Sequence, residues 1–556
     1  MDTVLRGGQV VDGTGGPGRS ADVGIENGKI VAVGDISSGD ATGAEVVELD
    51  GLTLAPGFID SHTHYDAQVL WDGDLTPSSW HGVTSVVMGN CGFGMAPTRP
   101  AHRGKILRTL ENVEGMALDC LEAGVKWSFE TFPEYLEAVA RIPKRCNVAA
   151  FIGHTAVRLY VMGDASMERE YATPEEIRQE RVIIEEALAA GAVGFASAKT
   201  AVHFGEGGKP VPSRVASDAE IMELATTLNQ FEHGLFQFSW GEEFALDELL
   251  EVAESIAPHP VTITSLLDDF ILPLRGQSPK QVLDRIDASG LNVWPQVSCR
   301  PLTFQLSLED PFPLAQGMSS FQEVIALPRS ERASLYRDSA WRERAKIETA
   351  PLWTPRWART TVQETKVHDD IRNGPTIADL AAAQGVDPLD LVLDLALAED
   401  LQTRFLIMLY NFRPDAVADL LTSNHTVINL SDAGAHASQL CDANFATYLL
   451  EHWVRELGVF TLPQAIQRLT QHPATLYALP LRGVVTPGYW ADLVAFDPDT
   501  VGTSNVERVW DLPAGADRLL AYSTGIEGIW VNGRQTRGNG RELDAHPGVV
   551  IRPGCT

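Results

Sequence analysis

Segments that are typical of short buried strands alternate with segments typical of amphipathic helices over most of this chain. In one such unit, Thr173-Pro174-Glu175-Glu176 combines an N-cap residue, a proline at the first helical position and a glutamate at the third, and Gly191 ends the helix. The apolar run 192–197 then follows as a buried strand. Strand candidates fall near residues 58–62, 84–88, 147–152, 192–197, 235–239, 260–265, 291–297 and 426–430. Eight strands alternating with helices predict an α/β fold, a (β/α)8 barrel of the TIM type.

The two ends of the chain and two long connections depart from this alternation. Short strands bounded by glycines are predicted at 4–12 and 28–34, and the same pattern returns at 491–497 and 528–533. The connections near 95–146 and 300–424 are much longer than ordinary loops, which marks them as insertions.

Charge and composition limit the partners that this chain can have. The formal net charge is −31, so the surface repels nucleic acid and anionic membranes. The six cysteines are scattered without a Cys-x-x-Cys pair, and the N-terminus has no signal-peptide pattern, which favours a cytoplasmic location. No apolar run approaches the roughly 20 residues of a membrane helix. A small-molecule substrate is therefore the expected partner, and a homo-oligomer stays open.

Two histidines two residues apart are the most informative local feature. His62 and His64 follow the apolar run 52–59 and precede Asp66. In an extended strand, residues i and i+2 point to the same side, so the pair would present two imidazoles to one cavity. Two histidines supply half of a typical metal site. A His-x-His pair in a surface loop would bind nothing, but the buried strand before this one favours metal binding.

Several other reactive side chains occur where predicted barrel strands end. His64, Cys91, His154, Lys199 and Asp432 all lie at or just past such ends. Because the active site of a (β/α)8 barrel lies at the carboxyl ends of its strands, we expect these side chains to share one site.

Four segments resemble the metal-dependent amidohydrolase superfamily, and two of them resemble its N-acyl-D-amino-acid deacylase (D-aminoacylase) branch. Residues 56–64 match the signature Pro-Gly-x-x-Asp-x-His-x-His, and residues 487–494 resemble the superfamily's closing motif. Residues 89–94, around Cys91, resemble the deacylases' metal-binding cysteine segment, and residues 431–436 resemble the segment with their catalytic aspartate. The resemblance implies that residues 57–470 form the barrel, and that residues 1–56 and 471–556 together form a small β-sandwich domain.

The resemblance also implies residue roles. One or two divalent metal ions, with zinc favoured, would be bound by His62, His64, Cys91 and Asp432. Asp432 would in addition act as general base toward a metal-activated water. Each of the last two residues has a plainer alternative. Cys91 could be a small buried thiol, and Asp432 could be a helix N-cap.

The substrate-binding candidates each have a plainer alternative. His154 and Arg158 lie in a segment that resembles the family's Gly-His-x-x-Leu-Arg; His154 would contact metal ligands or substrate, and Arg158 a substrate carboxylate. The alternatives are a core histidine and a structural ion pair. Asp66, Trp240 and His436 are further candidates; the alternative for Trp240 is packing and that for His436 is an ordinary loop position.

One departure from the family pattern leaves the ligands of the metal site undecided. The deacylases have histidines at the ends of strands five and six, but residues 236–241 and 262–267 contain none, and Leu267 stands where the family has a substrate-binding lysine. One metal could be bound by His62, His64 and Asp432, with or without Cys91. Lys199, if carboxylated, could bridge two metals, although an ordinary cationic lysine is the alternative. The chain could also bind a ligand without turnover.

The predicted activity is metal-dependent hydrolysis of the C–N bond of a small amide, such as an N-acyl amino acid or a cyclic amide. Lactone hydrolysis or decarboxylation on the same scaffold, and a non-catalytic binding protein with a degenerate metal site, are the alternatives.

Overall fold

The computed structural model describes residues 1–205, 208–270, 272–315 and 318–555. The chain divides into two compact units. The first comprises Met1–Arg300, Asp415–Ala437 and Cys441–Thr556, and the second comprises Pro301–Pro414 and Ser438–Leu440. All of the candidate site residues belong to the first unit.

A ring of parallel strands lies at the centre of the first unit. Each strand pairs with the next along the chain. The ring closes where Thr63 bridges Ala433, next to a hydrogen bond of 2.8 Å from the backbone N–H of His64 to the carbonyl of Ala433. This arrangement confirms the predicted (β/α)8 barrel. The strands are β1 (Phe58–Asp60), β2 (Val83–Met88), β3 (Asn147–Ala150 and Ile152–Gly153), β4 (Gly194–Ala198), β5 (Leu235–Ser239), β6 (Val261–Thr264), β7 (Val293–Val297) and β8 (Val427–Ile428).

The helices between the strands begin where the sequence places their caps. The side chain of Thr173 accepts a hydrogen bond from the backbone N–H of Glu176, and Ser217 and Ser278 cap their helices in the same way. In the helix that Thr173 caps, the buried apolar side chains Ile184 and Leu188 face the core. These helices are His154–Met162 and Pro174–Ala189 after β3, Pro212–Val215 and Asp218–Ala225 after β4, Leu246–Ser255 after β5, Pro279–Ser289 after β6, and Pro414–Thr422 before β8.

Two further groups of helices flank the ring. The insertion between β2 and β3 contributes Arg103–Glu114, Leu118–Gly124 and Phe132–Arg141. After β8 the chain forms Phe445–Tyr448, the π-helical Leu449–Glu456, Leu462–Leu469 and Gln471–Leu476. Among the described residues, no helix has both the length and the hydropathy that crossing a membrane requires.

Strands from both chain ends share one sheet of seven strands. Its order is Arg541–Glu542, Arg534–Gly538, Ile526–Val531, Leu493–Phe496, Thr53–Pro56, Gln9–Val10 and Arg19–Ser20. A second sheet has the order Lys29–Gly34, Asp22–Glu26, Thr3–Arg6 and Glu45–Glu48. Side chains from both sheets, among them Leu5, Ile25, Leu54 and Trp530, form one hydrophobic cluster. The domain boundaries at residues 56 and 471 stay predictions.

The second unit has a core of its own. Its antiparallel sheet has Arg404–Tyr410 between Leu302–Ser307 and Thr360–Glu364. Phe304, Trp341, Trp353 and Phe405 are buried in its hydrophobic cluster. Its helices are Phe312–Ala315, Ser319–Ala326, Arg329–Tyr336, Ser339–Trp357, Ile377–Gln384 and Pro388–Ala398.

Candidate functional site

The histidine pair directly after β1 is held by the neighbouring strands on both sides. The backbone N–H of Thr63 donates to the carbonyl of Val87 at 3.0 Å, and that of His64 donates to Ala433. These bonds keep the segment extended, and the side chains of His62 and His64 turn to the same side, with ring centroids 5.2 Å apart. Both imidazoles are buried, so the first barrel strand delivers two ring nitrogens to one site.

Asp432 follows β8, the strand next to β1 where the ring closes, and its side chain approaches the same two rings. Its Oδ1 lies 3.3 Å from His62 Nε2 and 3.7 Å from His64 Nε2. Its backbone has a φ of 46°, in the left-handed region that non-glycine residues rarely adopt, which is typical of functional positions. The side chain is 29% exposed whereas that of His62 is fully buried, so the carboxylate lies at the accessible side of the cluster.

The Nδ1 atom of each imidazole faces a side-chain oxygen. His62 Nδ1 lies 2.5 Å from Gln296 Oε1, and His64 Nδ1 lies 3.1 Å from Glu114 Oε1. Gln296 Oε1 accepts a hydrogen bond from His62 Nδ1, which places the proton there and leaves the lone pair on Nε2, the atom that points to Asp432. Glu114 Oε1 lies close to His64 Nδ1 but makes no hydrogen bond to any described residue. Burial lowers the pKa of His62 to about 4 and the pKa of His64 well below its usual value, so both rings are neutral, the form that binds metals.

Cys91 completes the cluster from the end of β2. Its Sγ lies 3.5 Å from His62 Nε2, and its backbone N–H donates to Gln237 Oε1 at 2.7 Å. Cys91 has a φ of 58° and lies in a tight turn. Gly89, in the same turn, packs so closely against Phe151 that a Cβ on it would lie 2.6 Å from the carbonyl oxygen of Phe151. Donor atoms of His62, His64 and Cys91 all lie within 4.8 Å of one another.

This donor set fits a divalent metal. Neutral imidazoles, a thiolate and a carboxylate are ligands that zinc prefers, and zinc bound by three or four of them can still take a water as a further ligand. Burial raises the pKa of the Asp432 carboxyl and of the Cys91 thiol, which is the expected effect of concentrating such groups away from water.

A chain of polar side chains occupies the interior of the barrel at the ends of β5, β6 and β7. Gln237 Nε2 donates to Thr264 Oγ1 at 2.9 Å, and that hydroxyl donates to Gln296 Oε1 at 2.8 Å. Gln296 Oε1 is the atom that faces His62 Nδ1. The strand ends that lack the family's histidines therefore contribute hydrogen bonds that orient His62.

Asp66 and His436 lie close to the cluster. Asp66 Oδ2 accepts a hydrogen bond of 3.0 Å from the backbone N–H of Gly89, so it holds the turn that carries Cys91. His436, four residues after Asp432, is half-buried, and its backbone N–H donates to the carbonyl of Glu114. The substrate contacts expected of both residues stay predictions.

His154 and Arg158 form a separate buried cluster. His154 Nδ1 lies 2.8 Å from Ser197 Oγ, and its Nε2 lies 3.3 Å from Glu220 Oε1. Arg158 Nε donates to the same Glu220 oxygen at 2.7 Å, while its other nitrogens donate to Glu220 and to four backbone carbonyls. A fully buried guanidinium engaged in this way has no donor for a substrate carboxylate. The structure therefore supports the alternative, a structural ion pair.

The contacts of Lys199 and Trp240 also favour structural roles. Lys199 Nζ pairs with Asp218 Oδ1 at 2.9 Å, and a carboxylated lysine would instead place a second negative charge beside that carboxylate. The contact favours the ordinary cationic lysine over the metal-bridging one. Trp240 is 1% exposed and its Nε1 donates to the carbonyl of Ser265 at 3.0 Å, which indicates packing rather than substrate contact.

Three residues of the site carry no sequence motif. Gln237 and Gln296 could have been noticed, because each interrupts an otherwise apolar buried strand. Glu114 lies at the end of an insertion helix, where nothing in its spacing links it to His64.

The fold and the clustered donor atoms define a class of protein, a hydrolase built on a (β/α)8 barrel with a metal-binding site at its carboxyl end. A model of the amidohydrolase family matches residues 45–537. The D-aminoacylase of Alcaligenes xylosoxydans xylosoxydans is 30% identical over 559 residues, covering 99% of this chain and 97% of that protein. The chain belongs to the amidohydrolase family.

Solved structures agree with this assignment. A D-aminoacylase structure concerned with a binuclear metal centre, one-metal activation and second-metal attenuation is 28% identical, with a TM-score of 0.67 and 99% of both chains covered. The N-acyl-D-glutamate deacylase of Bordetella bronchiseptica, complexed with zinc and a phosphonate mimic of the tetrahedral intermediate, is 26% identical with the same TM-score and coverage.

Proposed function

We propose that this protein hydrolyses the C–N bond of a small amide at a single divalent metal, with zinc favoured. The observation that carries the proposal is the convergence of His62 Nε2 and His64 Nε2 on Asp432 Oδ1, at 3.3 and 3.7 Å. These three side chains would hold the metal, and Cys91, 3.5 Å from His62 Nε2, would be the fourth ligand.

The residues at the ends of β5 and β6 favour one metal ion rather than two. The strand ends where the deacylase pattern has histidines, residues 236–241 and 262–267, contain none, and Thr264 is engaged in the hydrogen-bond chain to Gln296. Hydroxyls cannot replace imidazoles in a tight zinc site. A bound divalent metal supplies a Lewis acid that polarises the amide carbonyl and acidifies water.

The chain's own groups would move the protons. Asp432 is the carboxylate at the accessible side of the cluster, where it can take a proton from the attacking water and return it to the leaving nitrogen. His62, fixed at Nδ1 by Gln296, keeps its Nε2 lone pair directed to the metal, and as a metal ligand neither it nor His64 takes part in proton transfer.

The substrate class comes from the relatives, which are named as deacylases of N-acyl-D-amino acids. We propose an N-acyl amino acid or a related cyclic amide for this chain. The family's substrate-binding lysine is replaced by the buried Leu267, so we do not expect a carboxylate to be recognised in the family's way. A cytoplasmic location agrees with six cysteines that are all free.

A substrate panel and metal analysis test the proposal together. Purified protein should carry about one equivalent of zinc or another transition metal and should hydrolyse at least one member of a panel of N-acyl D- and L-amino acids and cyclic amides. The double variant His62→Ala/His64→Ala should lose both metal and activity, while His452→Ala, at a surface pair with Glu456, should lose neither. Lactones and carboxylic acids in the panel separate lactone hydrolysis and decarboxylation from amide hydrolysis. Absence of bound metal together with absence of turnover would reject the enzyme.

A further inference from the structure

The insertion between β2 and β3 sends one buried carboxylate into the metal-binding cluster. Glu114 is 3% exposed, and its Oε1 lies 3.1 Å from His64 Nδ1. Burying a carboxylate costs several kcal/mol unless a partner compensates for it. Its Oε1 makes no hydrogen bond within the described part of the chain, so its place beside an imidazole that is expected to bind metal calls for an explanation.

The backbone of Glu114 is tied to the same site. Glu114 is the last residue of its helix, because Gly115 takes the left-handed conformation that ends it, with a φ of 59°. The last carbonyls of a helix have no partner within it, and that of Glu114 accepts a hydrogen bond from the backbone N–H of His436. One residue thus contacts the segment after β1 through its side chain and the segment after β8 through its backbone.

We propose that Glu114 is a positioning residue: when the metal binds, the 3.1 Å approach of its Oε1 to His64 Nδ1 becomes a hydrogen bond that the carboxylate accepts, and this commits Nε2 of that ring to the metal. Gln296 has the corresponding place at His62, but it is neutral and comes from a barrel strand. A carboxylate makes the ring a stronger ligand than an amide does, because it favours the partial positive charge that metal binding places on the imidazole. Glu114 has this role only if the proposed metal binds, so the inference rests on the proposed function.

Without Glu114, His64 would lose its preference between two tautomers. The ring could then carry its proton on Nε2, which cannot bind a metal, and it could rotate about its side-chain bonds. Partners of this kind typically contribute 10- to 100-fold in metal affinity, roughly, in other proteins. The effect of Glu114 should therefore be seen in metal binding itself and not only in turnover.

The test measures zinc affinity by competition with a chromophoric chelator. Glu114→Gln keeps the size and one acceptor, and Glu114→Ala removes both. We expect zinc affinity to fall by about 10-fold in the first and up to about 100-fold in the second. Glu111→Gln, three residues earlier on the same helix at a surface pair with Arg108, is the matched control and should bind zinc as the unaltered protein does.

A double-mutant cycle separates positioning from a merely structural role. In a His64→Ala background the Glu114→Gln change should have no further effect on zinc affinity, because the ring through which it acts is gone. An equal loss in both backgrounds, or no loss in either, would overturn the proposal. If Glu114→Gln does not fold, ¹⁵N-histidine spectra of the unaltered zinc-loaded protein give the answer. His64 should carry its proton on Nδ1, and a proton on Nε2 would contradict us.

The outcomes distinguish this inference from the proposed function. Zinc binding without turnover of any amide rejects the proposed function but leaves the affinity test of Glu114 intact. Normal turnover with unchanged zinc affinity in Glu114→Gln rejects the positioning role alone. A protein that binds no metal at all overturns both.

Discussion

Gln296 Oε1 lies 2.5 Å from His62 Nδ1 and accepts a further hydrogen bond of 2.8 Å from Thr264 Oγ1. Gln296 is fully buried, and its amide nitrogen donates to Thr262 Oγ1 and to the hydroxyl of Tyr477, each at 3.3 Å. With its nitrogen used in this way, the amide oxygen is fixed as the group that meets His62. The orientation of His62, which follows β1 and is proposed to bind the metal, is therefore set by a side chain on β7.

Replacing Gln296 by leucine should weaken metal binding. Leucine fills a similar volume but offers no acceptor, so His62 can carry its proton on either nitrogen. We expect zinc affinity to fall by about 10- to 100-fold. The melting temperature should also fall, because buried polar groups left unpaired cost about 1–3 kcal/mol each. Chelator competition and thermal unfolding measure the two effects. Gln179→Leu, at an exposed helix position, is the control, and unaltered zinc affinity in Gln296→Leu would speak against the orienting contact.

Asp432→Asn should abolish most of the activity with little effect on folding. Asparagine keeps the shape but cannot accept the proton of the attacking water, and general-base catalysis typically contributes about 10²- to 10⁴-fold. We expect at least that loss in kcat/KM for an amide that the unaltered protein hydrolyses, measured with saturating zinc. Asp419→Asn, on an exposed helix face, should be fully active. A variant at position 432 with half the normal activity would exclude the proposed role.

Arg158→Met should destabilise the protein rather than raise KM. The change leaves the buried Glu220 carboxylate without its guanidinium partner, and breaking a buried pair in this way costs about 3–5 kcal/mol. Chemical denaturation gives the loss directly, and Arg178→Met, in an exposed pair with Glu175, provides the baseline. If Arg158 held a substrate carboxylate, KM would rise while stability stayed the same.

Glu180 should make stability depend on pH. Both oxygens of its carboxylate are buried without a hydrogen-bond partner. Burial, and after it the charge of Glu220, raises its pKa to about 8, against the opposing effect of Arg158 and with a smaller contribution from Glu176. His154 lies in the same cluster. The folded state thus keeps a proton that the unfolded chain releases at its usual, lower pKa.

The direction follows from proton binding in the two states. Between the usual glutamate pKa and about 8, the folded protein holds more protons at Glu180 than the unfolded chain does, so stability declines as pH rises through this window. Glu180→Gln removes that dependence. Denaturation at pH 5 and pH 8 should show a smaller loss of stability for the variant than for the unaltered protein. The exposed change Glu186→Gln should leave the dependence as it was, and equal slopes in all three proteins would contradict the shift.

The alternation of short buried strands with capped helices was sufficient to predict the barrel. Thr173 with Glu176 marks a helix start in any context, because capping is a local interaction between residues three apart. The His62 and His64 side chains turn to one side because of the two-residue repeat of an extended chain, which is also local. What the sequence by itself determined was therefore the order of the elements and which strand ends carry reactive groups.

Only the tertiary structure decided which of those groups meet. Arg158 and Lys199 lie near strand ends as Cys91 does, but packing pairs them with Glu220 and Asp218. Glu114 reaches His64 across a sequence separation that no motif records. The physical reason is that a buried charge is placed by its compensating partner, and that partner is chosen by the three-dimensional arrangement of helices and strands, not by spacing along the chain.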